Sequence, residues 1–290
     1  MKQSKGIILA LVCLGITLSI AVSSLQAESV VGNRLDYQII ERSQYKIHAV
    51  TVPHNGQYQI EPVITGNLQP LADFVSDKTV AVINGGYFDP VNQKTTSFVV
   101  ERSQTIGDPR FNERLVDNPD LKPYLRKILN RAEFRSYDCQ GSTKYDIQLH
   151  SAPMPKNCNL VGSLGGGPGL LPQNSSVAEG FLAYQNGEKI RDAIGNDSLN
   201  ARSAVGIAED GDVILVMVAQ NRDRPLDSGI SLPQLAAEMS ELGAVKAMNL
   251  DGGSSASIYY DGRTFFGRVD RDGSEIRRPI KSVLQVFLRD

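Results

Sequence analysis

Short apolar runs separated by polar turns recur along most of the chain, the pattern of a β-rich fold. Tyr37–Glu41 and Tyr45–Val52, with the polar Arg42-Ser43-Gln44 between them, predict a hairpin. Leu71–Val75 reads as a short helical turn. Val80–Ile83 is an apolar run that stops at Asn84-Gly85-Gly86, as a buried strand entering a tight loop does. The β-branched Thr95–Val100 predicts another strand. Further on, Ala204–Ala208 and Val213–Val218 flank Glu209-Asp210-Gly211-Asp212, a hairpin with Asp-Gly at its turn. Ser231 and Gln234 have the spacing of a capping box, opening a helix that lines up Leu235, Met239 and Leu242 and ends at Gly243. Ala247–Leu250 predicts a strand running into Asp251-Gly252-Gly253-Ser254-Ser255. Ser257–Tyr260, the Asp261-Gly262 turn and Val283–Leu288 supply the closing strands.

Residues 101–160 have a different texture. Leu121, Leu125, Ile128 and Leu129 recur at helical spacing behind Asn118-Pro119, which predicts an amphipathic helix over Pro119–Phe134. Polar sequence follows, so the whole stretch reads as an insertion between two strand-rich blocks. Strands and helices do not alternate in a sustained way, which argues against a parallel, doubly wound sheet. The expected fold class is α+β: one domain over 28–290, of mixed or antiparallel sheets with a few packed helices, its N-terminal strands falling in 28–74.

The first residues belong to a different class. Lys2 and Lys5 precede a nearly unbroken apolar run, Gly6–Val22, and small residues lead to Ala27. This is the layout of a signal peptide over 1–27, preferred to an uncleaved anchor because the run is short for a bilayer. The expected destination is the periplasm or the medium, with no stable membrane anchor after cleavage. Losing Lys2 and Lys5 takes the formal charge from −2 to −4. That near balance offers no basic footprint for nucleic acid. Of 3 cysteines, Cys139 and Cys158 remain. In an exported chain they read as one disulfide, with a pair of buried thiols as the alternative.

Chemistry concentrates at three glycine-rich turns: Asn84-Gly85-Gly86, Gly165-Gly166-Gly167 and Asp251-Gly252-Gly253. Glycines admit close approach of a ligand, and successive N–H groups can form an anion-binding nest. None of the turns matches a P-loop or a dinucleotide fingerprint. Asp251 ends an apolar run, where burial can tune a carboxylate, although an Asx-turn would use the same residue. Arg202 stands at the start of a strand and could clamp a phosphate through two parallel hydrogen bonds, or form a surface ion pair. Ser254 and Ser255 lie outside a nucleophile elbow, which argues against a serine hydrolase.

Together, Val82–Phe88, Gly165–Leu171, Ala201–Gly206 and Asn249–Ser255 resemble, in order, the motifs of the phosphodiester glycosidase family. Ser228–Leu232 and Arg277-Arg278-Pro279 add to the likeness, which runs over about 75–290. Ser254 and Phe98 stand where the family often carries glycine. The resemblance implies a hydrolase that releases the sugar from a sugar-1-phosphodiester or a related cell-envelope glycan. In that reading Asp251 is nucleophile, base or electrostatic stabiliser, Arg202 the phosphate clamp, and Asn84 an orienting group. Substrate would lie against Gly85, Gly86, Tyr87, Phe88, Gly166, Gly167, Gly252, Gly253, Ser254 and Ser255. The resemblance fixes no cofactor, and a divalent cation between Asp251 and Asp89 stays open. So do two other readings, a non-catalytic envelope glycan-binding protein and a phosphodiesterase that cuts P–O.

Overall fold

A computed structural model describes residues 35–289. The expected signal segment, and the residues after it as far as Arg34, lie outside that range. In chain order the first strands are β1 (Asp36–Glu41), β2 (Tyr45–Val52), β3 (Tyr58–Gln69), β4 (Thr79–Asn84), β5 (Val99–Glu101) and β6 (Gln104–Gly107). Two single-turn helices follow, α1 (Glu113–Val116) and α2 (Leu125–Ile128). Then come β7 (Ala132–Cys139), β8 (Ser142–Leu149), β9 (Asn159–Gly165), β10 (Gly169–Leu171), β11 (Leu182–Gln185) and β12 (Glu188–Asp192). The last part holds β13 (Arg202–Ala208), β14 (Val213–Gln220), α3 (Leu232–Glu241), β15 (Ala244–Asn249), β16 (Ser257–Tyr260), β17 (Arg263–Phe266) and β18 (Ile280–Leu288).

Three sheets meet around one core. The largest has the order β1-β2-β14-β13-β15-β10, and two five-stranded sheets run β17-β16-β4-β18-β3 and β6-β5-β9-β7-β8. The pairings that join them are antiparallel, so this is a mostly antiparallel β fold with few helices. Val50, Val205, Leu215 and Met217 of the first sheet pack against Ile83, Ile258 and Leu284 of the second and Phe134 and Leu164 of the third. The other face of the first sheet is covered by α3, through Leu235 and Met239 against Ala49, Ala204 and Val216. Burial on both faces explains why β14 reads as an unbroken apolar run, Val213–Val218, and not as an alternation. The outer face of the second sheet is closed at Val82 and Val283 by the helical turn Leu71–Phe74.

The β1–β2 and β13–β14 hairpins form as predicted. So does α3, with Ser231 Oγ and the Gln234 side chain capping it reciprocally. The strand predicted over Thr95–Val100 shrinks to Val99–Glu101. A correction falls on 119–134. Instead of one amphipathic helix there is a 3₁₀ turn at Lys122–Tyr124, then α2, and from Ala132 a strand. Pro123 sits at the start of the 3₁₀ turn, where its missing N–H costs least, and nothing beyond Leu129 sustains the helix. Ala132 and Phe134 face the main core. Glu133 and Arg135 face the other way and pair with each other at 2.9 Å, both almost fully buried. The stretch 101–160 therefore includes β6 and the β7–β8 hairpin, and through Ala132, Phe134 and Ile147 it contributes to the core. Cys139 at the end of β7 is disulfide-bonded to Cys158 just before β9.

Candidate active site

The three glycine-rich turns leave β4, β9 and β15, and backbone bonds draw them together. Asp251 N–H donates to Gly85 O at 3.0 Å, and Gly167 N–H to Asn249 O at 2.8 Å. The approach is too close for side chains. A Cβ on Gly86 would lie 2.2 Å from Gly165 O, and one on Gly167, at φ +92°, 2.2 Å from a Glu179 carboxylate oxygen. Glu179 in turn holds this Gly165–Gly167 turn from behind, accepting from Ala132 N–H at 2.9 Å, Gly169 N–H at 2.7 Å and the Ser175 hydroxyl.

Asp251 stands at the centre. Solvent still reaches it, yet protein crowds it closely. Burial pushes its carboxyl up to about 6, against the opposing pull of the Ser255 hydroxyl, the Arg278 guanidinium and the Gly252 N–H. Ser255 Oγ lies beside the carboxyl without reaching full hydrogen-bond geometry, and it and Asn249 Oδ1 are buried polar atoms with no partner among the described residues. Tyr87 closes one side, its hydroxyl donating to Gly167 O at 2.9 Å and accepting from Asn249 Nδ2 at 2.7 Å. Burial, and then the Asp251 charge, raise the Tyr87 phenol well above its ordinary value, so it stays neutral. Arg278 closes another side. Its Nη1 donates to Ser254 Oγ at 3.2 Å and its guanidinium carbon lies 4.8 Å from the centre of the Phe88 ring.

Three expectations need correction. Arg202 is 2% exposed, and its guanidinium is spent on backbone carbonyls: Ile230 at 3.4 Å, Ile194 at 3.0 Å, Gly195 at 2.5 Å and Ser198 at 3.1 Å. No bidentate fork is left for a phosphate, so Arg202 organises the 194–198 loop. Asn84 is 1% exposed, with Nδ2 donating to Asp251 O at 2.7 Å and Oδ1 accepting from Ser203 Oγ at 2.6 Å and Ser257 N–H at 3.0 Å. It staples the Asp251 turn and has little left to orient substrate. The expected amide nest is also largely absent. Gly85, Gly86, Gly166, Gly167 and Gly253 all donate their N–H groups to protein acceptors. Gly252, whose amide turns toward Asp251, is the exception. These glycines serve close packing of the turns.

Asp89 is elsewhere engaged, accepting from Val91 N–H at 2.8 Å and from Arg114 Nε at 2.8 Å. Among the described residues no three His, Cys, Asp or Glu side chains gather as a metal site. His48, His54 and His150 bond to Tyr37, Thr143 and Glu133, none of them to Ser254 or Ser255. Phe98, at the position where glycine was expected, stacks on His150 with ring centres 3.8 Å apart. Arg278, Glu179, Ser203 and Ser257 were not singled out as site residues from sequence. Of these, Arg278 lies in the Arg277-Arg278-Pro279 motif and Ser203 in the Ala201–Gly206 motif, whereas Glu179 and Ser257 lie outside every motif.

Comparison with known proteins fits this geometry. Residues 77–287 match the family model described as phosphodiester glycosidase. No curated protein matches the chain. Among solved structures, the catalytic domain of zebrafish N-acetylglucosamine-1-phosphodiester alpha-N-acetylglucosaminidase, auto-inhibited by its pro-peptide, aligns at TM-score 0.62 and 17% identity, over 88% of this chain and 83% of that one. A Synechocystis protein described as hypothetical aligns at TM-score 0.56 and 17% identity, over 88% of this chain; the present chain spans only 62% of its length. A Burkholderia pseudomallei protein described as exported aligns at TM-score 0.56 and 14% identity, over 84% and 74% of the two chains. At these identities the likenesses concern the fold.

Proposed function

We propose that this chain, which belongs to the phosphodiester glycosidase family, is an exported hydrolase that cuts a sugar-1-phosphodiester at the glycosidic C–O bond. The observation that carries the reading is the facing of Asp251 and Arg278 where the three glycine turns converge. Breaking the anomeric C–O bond leaves both electrons on the phosphate oxygen and builds oxocarbenium character on the sugar. An ionised Asp251 stabilises that charge, as nucleophile or as electrostatic partner. Water then supplies the hydroxyl at the anomeric carbon, and its proton leaves with solvent or with the phosphomonoester.

The leaving group is already stable as an anion, so little general-acid help is needed. Arg278 takes over the role first given to Arg202. It is the guanidinium beside Asp251, its contact to Ser254 is a single bond, and the stack on Phe88 fixes its plane. Tyr87, Phe88, Ser254 and Ser255 would border the sugar and phosphate. The Cys139–Cys158 disulfide supports an oxidising destination, the periplasm or the medium.

Hydrolysis of a sugar-1-phosphodiester in oxygen-18 water tests the reading. Label is expected in the released sugar. Label in the phosphate would make the protein a P–O phosphodiesterase, and no turnover across a panel of sugar-1-phosphodiesters, cell-wall linkage units included, would favour a glycan-binding protein.

A further inference from the structure

A cavity of about 590 Å³ lies between the β1 edge of the first sheet and the β17 edge of the second, and no residue of the three glycine-rich turns lines it. One wall comes from β1, β2 and the end of β14, the other from β17 and the 268–276 hairpin. Its volume falls within the range of small-molecule sites. We propose that this cavity is a binding site for a neutral oligosaccharide.

Its lining has the two components such a ligand uses. Half-buried Phe265 and Phe266, with the half-exposed Ile39, give apolar surface for the C–H faces of a sugar ring. His48 backs Phe265, ring centres 4.4 Å apart, and Arg277 lies over Phe266 at 5.3 Å, so both rings are held in place. The polar component is only partly spent. Arg222 pairs with Glu275 and Lys46 with Glu41. The side-chain nitrogen of Asn221, whose Oδ1 accepts from Asp223 N–H, and the Asp223 carboxylate have no partner among the described residues, although both residues line the cavity.

Charge selects the ligand class. Each lining cation is already paired, Arg42 with Glu238 and Glu241 behind the cavity, Lys46 with Glu41 and Arg222 with Glu275, while the Asp223 carboxylate stays open. His48 is held neutral, its pKa lowered to about 4 chiefly by burial and then by Lys46, with Glu41 opposing. A cavity with no unpaired cation and one open carboxylate gives a polyanion no electrostatic advantage and suits an uncharged polyhydroxy chain. The 268–276 hairpin also connects the cavity to the catalytic turns. Val269 and Glu275 face the cavity, while Arg268 Nη1 bonds Asn200 Oδ1 at 3.0 Å beside Gly253, and Arg278 just beyond the hairpin reaches Ser254. A glycan bound here would adjoin the catalytic cleft, but its binding does not depend on the hydrolase reading.

The test is calorimetric titration of the purified protein with chitotriose, cellotriose, laminaritriose and maltotriose, alongside trigalacturonate, up to roughly 10 mM. At least one neutral trisaccharide should bind saturably and more tightly than trigalacturonate. Asp223→Ala, which removes an exposed side chain with no protein partner and leaves folding intact, should weaken that binding at least about fivefold, and Phe266→Ala about tenfold. No saturable binding by any neutral sugar, tighter binding of trigalacturonate, or affinity unmoved by both substitutions would overturn the proposal. Loss of turnover in Asp251→Asn with trisaccharide binding retained would separate this site from the catalytic one.

Discussion

The side-chain amide of Asn84 donates to the backbone carbonyl of Asp251, 2.7 Å away and 167 residues further along the chain. One buried side chain thereby ties the end of β4 to the turn that carries the candidate catalytic carboxylate. Its other end accepts from Ser203 and Ser257, so β13 and β16 join the same knot. The position of Asp251 is therefore set by a polar network inside the core, below the surface that a substrate would touch.

Asn84→Ala should accordingly lower stability and activity together. It strands Ser203 Oγ, Ser257 N–H and Asp251 O in a buried place, at a cost of about 1–3 kcal/mol for each group left unsatisfied. Thermal unfolding and kcat measured on the same preparation check this. A full-stability variant with collapsed kcat would return Asn84 to direct substrate contact.

Arg202→Lys is expected to act through folding as well. An ammonium cannot reach the four carbonyls that the guanidinium spans, and the 194–198 loop loses its anchor. A loss on the order of 2–4 kcal/mol in urea unfolding is the expected scale, with little change in KM for the fraction that remains folded. An unchanged unfolding midpoint with a raised KM would instead make Arg202 a phosphate ligand.

Arg278→Met should leave the fold nearly unchanged and weaken binding of the phosphomonoester product, by about 2 kcal/mol or roughly thirtyfold in its inhibition constant. It should also move Asp251. Arg278 lowers the Asp251 pKa, so removing it should shift the acidic limb of the rate profile to higher pH. Equal inhibition and an unmoved limb would place Arg278 outside the site.

These residues differ in how far sequence could reveal them. The cap at Ser231 and Gln234 and the glycine stop at Gly243 are local signals, and α3 was legible from them. Asp251 was legible because its place at the end of an apolar run is itself a local feature. β7 was not. Its Glu133 and Arg135 look solvated in sequence but are buried against each other, which hides the alternation. The role of Arg202 was illegible for a related reason: its partners are backbone carbonyls, which carry no residue identity. Arg278 sits before a proline in a charged stretch and becomes meaningful only once the fold brings it to Ser254.

Asp251 yields the sharpest test, because its function and its contribution to stability should pull in opposite directions. Its folded pKa, raised to about 6 mainly by burial, lies above the ordinary value of 3.8. The native state therefore binds the proton more tightly than the unfolded chain between those two values. Stability contributed by this group grows as pH falls from about 6 toward 4, and above 6 the ionised form is a burden on the fold. That burden is at most about 3 kcal/mol, and less to the extent that solvent still reaches the carboxyl. The charge that weakens the fold is the one the proposed reaction requires. kcat/KM should therefore fall as pH drops through about 6, while unfolding measurements show no matching loss of stability from this residue. Asp251→Asn should erase that limb and lower kcat at least about a hundredfold, yet leave the protein as stable at pH 7 as before, or more so. A variant that keeps near-normal kcat would mean that Asp251 only shapes its turn.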